Sequence, residues 1–424
     1  MTKPPLNYEE AASLDDRDSL SELRKKFEIP LDANGSEQAY FAGNSLGLLP
    51  KQTRISMHDA LNKWGTKGVL GHFDGTEAWY RYDESVSNLQ TEIVGCLPSE
   101  TGVMGTLTSN LHVLMASFYQ PKGKQKKILI EPHAFPSDRY AVTAQVLWNG
   151  GDPTEDIIVI ESENPDEVTP ADLERTLTQH GDSVCLALIG GLNYYTGQFI
   201  DIPKFAALLQ AHEITFGLDL AHAVGNVPLE LHKWDIDFAA WCTYKYLNGG
   251  PGSISGYFVN QKYHANTDLI RLAGWWGNDP ETRFDMHGQE HFVPRQSADG
   301  WKASNPSLFA MVPVKTSLEI FNEVGITTLR DRSIRLTRYF EKGIEAINNV
   351  SSITPRDPER RGCQISVRVP GDASLLEHEL IQKGVVPDAR DPDVLRFAPT
   401  PLYTSFTDIA RAVDELAGVV ATYK

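Results

Sequence analysis

Short apolar runs recur through the middle of the chain, over 128–131, 157–161, 183–189, 214–219 and 238–243. Each is bounded by polar residues, glycine or proline, as expected of a strand buried on both faces. Between these runs the spacing turns helical. Leu111, Leu114, Met115 and Phe118 share one face of a helix predicted over 108–119, and Phe205, Leu208 and Leu209 do so over 202–212. Strands alternating with helices predict an α/β fold, a mostly parallel sheet covered on both faces. Near residue 310 the rhythm changes. A long helix over 326–348, a strand over 364–369, a helix over 374–383, a strand over 394–398 and a last helix over 408–423 predict a smaller α+β domain. At the other end, residues 19–27 read as one short helix opened by Ser19 and Glu22 in a capping box. A chain of 424 residues is too long for one ordinary core. The expected division is an N-terminal arm (1–50), a large domain (51–310) and a small C-terminal domain (311–424).

Composition narrows the function classes. Hydrophobic residues make up 41% and charged residues 22%, as in a water-soluble globular protein. The longest apolar stretch, over 184–189, is far too short to cross a bilayer. The N-terminus has neither an apolar signal core nor an Arg-rich amphipathic stretch, so a cytoplasmic location is expected. The net charge of −17, with basic residues scattered apart from a cluster over 122–127, argues against nucleic acid or anionic membrane as a partner. The four cysteines are widely spaced, and three of them sit in apolar runs, which suits buried thiols in a reducing compartment. The histidines show no H-E-x-x-H spacing, so no metal site is expected.

In an open parallel sheet, ligands gather beyond the carboxyl ends of the strands. The run over 214–218 ends in Asp219, where a carboxylate at the end of a buried strand needs a partner. It reads either as the partner of a cationic ring nitrogen or as an N-cap for the residues that follow. The next run ends at Tyr244-Lys245-Tyr246, followed by Leu-Asn-Gly-Gly-Pro-Gly. Lys245 reads as an imine-forming amine entering a crevice, or as a surface lysine at a strand end. The pair says more than either residue alone. An anion and an amine at the ends of consecutive strands are what pyridoxal phosphate (PLP) requires. Leu107-Thr108-Ser109-Asn110 opens the helix with the apolar stripe, so its free N–H groups suit a phosphate; an ordinary cap is the alternative. Phe135-Pro136-Ser137-Asp138 offers a phenyl face to a flat ring, or is a Pro-containing turn.

Longer blocks carry a resemblance. Gly-Asn-Ser-Leu-Gly at 43–47, Tyr-Tyr-Thr-Gly-Gln at 194–198, Asp-Leu-Ala-His-Ala-Val-Gly-Asn at 219–226, Trp-Cys-Thr-Tyr-Lys-Tyr-Leu-Asn at 241–248 and Arg-Phe-Ala-Pro-Thr-Pro-Leu-Tyr at 396–403 resemble the kynureninase family, in the family's order. The resemblance implies the PLP-dependent transferase fold type I, a homodimer with shared active sites, and hydrolysis of kynurenine or 3-hydroxykynurenine. The products would be alanine and anthranilate or 3-hydroxyanthranilate, in tryptophan catabolism and NAD biosynthesis. It also implies roles. Lys245 carries the cofactor and moves the α-proton, Asp219 pairs with the ring nitrogen with His222 nearby, and Phe135 stacks on the ring beside Ser137 and Asp138. Leu107 and Thr108 meet the phosphate with Tyr244, while Trp275 and Asn305 reach the cofactor across the dimer. Tyr244, its pKa lowered by two neighbouring cationic groups, returns a proton to the product. Arg396 grips the substrate α-carboxylate as a fork, and Ser45 sits beside the substrate. His72 with Ser304 and Asn305 suggests a preference for the hydroxylated substrate; His72 also reads as a plain loop residue. Gly190 departs from the pattern, because some relatives have a hydroxyl residue there.

Two other readings compete. A cysteine desulfurase or selenocysteine lyase of the same fold would need a nucleophilic cysteine on a mobile loop. Cys363 instead leads straight into a predicted strand. A binding protein that lost catalysis would have no reason to keep Lys245, Asp219, Tyr244 and Arg396 together.

Overall fold

A computed structural model describes residues 5–272, 274–288 and 290–423. Its centre is a seven-stranded sheet: β1 (Thr101–Met104), β2 (Lys127–Ile130), β3 (Ile157–Val159), β4 (Val184–Gly190), β5 (Thr215–Asp219), β6 (Phe238–Trp241) and β7 (Ser255–Val259). The spatial order is β1-β7-β6-β5-β4-β2-β3. Only β7 runs against its neighbours; the pairs from β6 to β3 are all parallel. The apolar runs are continuous because both faces are covered. Successive side chains of a strand point to opposite sides. Ile128 and Ile130 of β2 and Leu186 and Leu188 of β4 join one core with Leu111, Leu114, Met115 and Phe118. Leu129, Ala187 and Ile189 join the other, with Phe205, Leu209, Leu173 and Leu318.

The pattern did not reveal β1 and β7. Both hold a glycine where an apolar residue would have signalled a strand, and cross-strand aromatics explain why. A Cβ at Gly102 would lie 2.5 Å from the ring of Tyr257, and one at Gly256 would lie 2.3 Å from the indole of Trp241. The expected helix over 19–27 is corrected to a 3-10 turn, Ser21–Lys26, whose capping residue is Leu20 with no side-chain cap. Glu22 bonds Lys25 instead of closing a capping box. A true helix, Tyr8–Asp16, lies before it, capped by Asn7.

The C-terminal part has its own four-stranded antiparallel sheet, in the order Asp388–Arg390, Val394–Phe397, Ile365–Arg368, Ser351–Ser352. Helices Ile326–Ile344, Ala373–Gln382 and Phe406–Val420 pack on it. Helix Leu308–Val324 belongs to the large core through Met311, Val314, Leu318 and Phe321. The change of core falls inside the following helix, between Leu329 and Leu336. The N-terminal segment is built into the small core: Leu6, Ala11, Ala39 and Phe41 are buried there, and Ala39–Tyr40 pairs in parallel with Val385–Val386.

The glycine at the β6–β7 crossing yields a direct test. Gly256→Ala forces the Trp241 indole off its bond to Gln90, so it should destabilise the protein by about 1–3 kcal/mol. Urea unfolding with an unchanged m-value is the measurement.

Candidate active site

The parallel register brings strand ends to one level. Gly190 lies opposite Asp219, and Asp219 opposite Ala240. Beyond these ends a cleft opens, lined by Leu107, Glu131, Phe135, Asp138, Gly190, Leu192, Asn193, Tyr194, Asp219, Ala221, His222 and Lys245. Of the residues singled out in the sequence, Leu107, Phe135, Asp138, Asp219, His222 and Lys245 therefore share one cavity, with Gly190 in its wall.

Asp219 is the last residue of β5 and is buried. The two readings of it turn out to be compatible. Its Oδ1 accepts from the Ala221 N–H at 2.7 Å, as a turn cap would. Its carboxyl also meets that of Asp138, and burial together with Asp219 pushes the Asp138 carboxyl well above the usual range. Two carboxyls in contact cannot both ionise cheaply, so Asp138 is the one that keeps its proton. Glu131, one residue beyond β2, adds a third carboxyl. Its Oε1 accepts from the Gly190 N–H at 3.1 Å. Burial, and to a lesser extent Asp219, pushes its pKa up to about 7.

Opposite this acidic wall stands Lys245, in the turn after β6. Its Nζ lies 3.0 Å from His222 Nε2, and 5.7 Å and 5.9 Å from the ring centres of Phe135 and Tyr244. Burial, then the charges of Lys245, Arg396 and Arg390, holds His222 well below the usual imidazole range. A neutral ring accepts from the lysine at Nε2 and carries its own proton on Nδ1.

Two helix N-termini meet at the edge of the cleft. Helix Leu107–Phe118 starts after Thr106, whose backbone and side chain pair with Ser109. Phe135-Pro136-Ser137-Asp138 is not a free turn: Phe135 caps helix Pro136–Trp148 and Pro136 is its first residue, where a missing N–H costs nothing. Thr108 Oγ1 and Ser137 Oγ are 2.7 Å apart. Hydroxyls and free first-turn N–H groups from two helices converge, as an anion requires.

The expectation for Tyr244 is overturned. Its pKa is raised to about 12, by burial first and then by Cys242 and Asp219. Lack of solvent dominates, with Cys242 and then Asp219 adding to it, so the phenol stays protonated.

Other predicted residues lie elsewhere in the single chain. His72 and Asn305 line a second pocket with Trp79, Trp276, Pro306 and Met311. Ser304 is exposed. Trp275 is partly exposed, donates to the Arg283 carbonyl at 2.7 Å, and meets Trp276 and Phe284 edge-on. Ser45 is exposed on a loop fixed to the cleft at Gly47, whose N–H donates to the Tyr244 carbonyl at 2.8 Å. Arg396 is fully buried in the small sheet and reaches the cleft wall through the Tyr194 carbonyl at 2.6 Å. Cys363 is buried at the start of a strand, its thiol pushed up to about 12 by burial, so it is no mobile nucleophile. Among the described residues, no group of three His, Cys, Asp or Glu side chains is placed to hold a metal ion.

Sequence reasoning missed Glu131 and Tyr194 as cleft residues. Glu131 ends a predicted strand just as Asp219 does, and that signal was available. Tyr194 lies inside a quoted block, but its contacts, edge-on to Phe135 at 5.1 Å and beside Arg396, are tertiary.

This cleft fits PLP. Asp138 Oδ1 and His222 Nδ1 are buried without a partner. The acidic wall calls for a cation, the paired helix starts for an anion, and the Phe135 ring for a flat face. The same architecture recurs in a cysteine desulfurase from Thermococcus onnurineus NA1, with a TM-score of 0.78 at 15% identity, covering 95% of this chain and 98% of that one. It recurs in a C-DES mutant with glycine covalently linked to its PLP cofactor, with a TM-score of 0.76 at 14% identity, covering 93% and 98%. The fold is that of the PLP-dependent enzymes of fold type I. Sequence comparison is finer. The kynureninase of Salinispora tropica is 45% identical over 94% of this chain and 95% of its own length. That of Koribacter versatilis is 44% identical over 95% of each. The family model "Kynureninase C-terminal domain" matches residues 329–416. The chain belongs to the kynureninase family, PLP-dependent hydrolases of carbon–carbon bonds.

The acidic wall has a measurable signature in the cofactor-free protein. A carboxyl whose folded pKa is raised stabilises the fold fully below its unfolded value and loses that contribution as pH rises through its folded value. For Glu131 the loss falls between about pH 4.5 and about 7 and amounts to at most about 3 kcal/mol. Asp138 acts in the same direction, so Glu131→Gln should shrink, not abolish, the fall in Tm between pH 5 and 7.5. An unchanged profile counts against a strained carboxyl at 131.

Proposed function

We propose that this chain hydrolyses the Cβ–Cγ bond of L-kynurenine and 3-hydroxy-L-kynurenine, releasing L-alanine and anthranilate or 3-hydroxyanthranilate, in tryptophan catabolism and NAD biosynthesis. The observation that carries the reading is the juxtaposition of Lys245 with the Asp138–Asp219 pair across one buried cleft. PLP, when bound, supplies an electron sink for the carbon next to the substrate nitrogen.

The chain's own groups divide the remaining work. Lys245 holds the cofactor and, once freed from it, moves the α-proton; His222, neutral at 3.0 Å, steers its amine. Asp219 would face the ring nitrogen and hold its proton, beside the neutral carboxyl of Asp138. Phe135 would cover one face of the ring. Leu107, Thr108 and Ser137 would receive the phosphate at the paired helix starts, joined by Tyr244. Tyr244, whose raised pKa keeps its proton in place at neutral pH, would be the proton donor to Cβ. Arg396 takes the α-carboxylate, with Ser45 on the adjoining loop.

Trp275, Asn305, Ser304 and His72 lie outside the Lys245 cleft, so their roles toward cofactor and substrate ring need a second copy of the chain. This supports a homodimer with shared sites. The apolar side chains exposed around them, Phe73, Phe284 and Trp275, suit such a contact. The cytoplasm is the proposed location; no helix among the described residues is long and apolar enough to cross a membrane. The proposed working division is an arm (1–50), a cofactor domain (51–310) and a small domain (311–424), with the start of the arm packed on the small core and helix Leu308–Val324 on the large one. The cofactor residues 107–245 lie in the second and Arg396 in the third.

The test is incubation of the holoenzyme with kynurenine and with 3-hydroxykynurenine, following the fluorescence of the aminobenzoate products. Both should turn over, the hydroxylated one with the higher kcat/KM. Lys245→Ala should lose at least about 10³-fold in kcat while keeping its circular dichroism. Sulfide release from cysteine without aromatic product would overturn the assignment.

A further inference from the structure

Arg396 is held in an unusual way for a residue that grips a substrate. It is buried, and it stands directly opposite Asp388 in the antiparallel pair of Asp388–Arg390 with Val394–Phe397. Residues opposite each other in such a pair project to the same face. Arg396 Nε lies 3.1 Å and Nη2 2.7 Å from Asp388 Oδ1. Nη1 donates to the Tyr194 carbonyl at 2.6 Å. A guanidinium has five N–H groups. Two are hydrogen-bonded, Nε–H to Asp388 and one N–H of Nη1 to Tyr194, while Nη2 is held against Asp388 as an ion pair. N–H groups on Nη1 and Nη2 are left over for a carboxylate.

Asp388 is itself constrained. Arg390 Nη1 lies 2.5 Å from the same oxygen. Tyr40 faces it from the N-terminal segment, its phenol pushed up to about 12 by burial and then by Asp388. The Tyr40 hydroxyl donates to the Leu46 carbonyl at 2.8 Å, in the loop that carries Ser45. Asp388 therefore holds two arginines, Arg396 and Arg390, and its charge is felt at the Tyr40 phenol.

We propose that Asp388 is a positioning residue for substrate recognition: with the Tyr194 carbonyl it fixes the Arg396 guanidinium from one side and leaves N–H groups of its two terminal nitrogens for an α-carboxylate. The inference rests on Arg396 as the carboxylate site. Without Asp388, a buried arginine loses its charge partner and its orientation together. Substrates with an α-carboxylate should lose affinity, whereas an analogue lacking that group should not.

The test uses the holoenzyme and three substitutions. Asp388→Asn should raise KM for L-kynurenine about tenfold or more with kcat within about threefold, and should weaken L-alanine binding, read from the cofactor absorbance, by a similar factor. Kynurenamine, the analogue without the carboxylate, should show unchanged binding. In an Arg396→Ala background, adding Asp388→Asn should change nothing further. If Asp388→Asn fails to fold, Asp388→Glu, which keeps the charge and displaces it, carries the same test with a smaller rise in KM. If Arg396→Ala leaves KM unchanged, the carboxylate site itself is misassigned. If Arg396→Ala raises KM strongly and the Asp388 variants do not, or they lower it, the positioning role is overturned.

Discussion

Parallel pairing between β4, β5 and β6 sets Gly190, Asp219 and Ala240 side by side, and the chemistry of the cleft follows from that register. A slip of one residue would send Asp219 to the opposite face of the sheet. It would also break the meeting of Asp219 with Asp138 and the approach of Lys245 from the next strand end. The register is held by alternate residues of β4 and β6 locked into two different cores, with Phe216 and Leu218 of β5 between them in one of these. Rigidity at the strand ends is thus a property of the whole sheet.

The cleft built on those ends is crowded with acidic groups on one side. Three carboxyls, Glu131, Asp138 and Asp219, adjoin one another, and the histidine beside Lys245 is held neutral. Such a wall is costly by itself and becomes favourable when a cation faces it. The phosphate end has the opposite character, with two helix starts and two hydroxyls. A molecule with a cationic ring and an anionic tail matches both ends in one orientation only.

Much of this was legible in the sequence for a physical reason. Strands buried on both faces leave uninterrupted apolar runs, and the five central ones were read within a residue or two. Their last residues pointed to Asp219 and Lys245. The strands β1 and β7 escaped notice because Gly102 and Gly256 make room for Tyr257 and Trp241 from the neighbouring strand, and local spacing cannot show that. Tyr244 was misjudged for a similar reason. Its acidity depends on solvent exclusion, on the Cys242 thiol and on Asp219 from the neighbouring strand end, and burial cannot be read from local sequence. Arg396 was found by motif, but its partner Asp388 emerges only from strand pairing. The small core also reaches back to Leu6 and Ala11, a contact between opposite ends of the chain that periodicity does not record.

The loop over 41–48 is fastened on two sides. Its Phe41 carbonyl accepts from Ala398 and Asn44 donates to Gln364, both in the small unit, while Gly47 bonds the Tyr244 carbonyl under the large sheet. A Cβ at Gly47 would lie 2.3 Å from the Lys245 carbonyl, so the two backbones touch. This loop is a mechanical strut. A swing of the small unit toward the cleft would therefore pull on the Tyr244–Lys245 backbone.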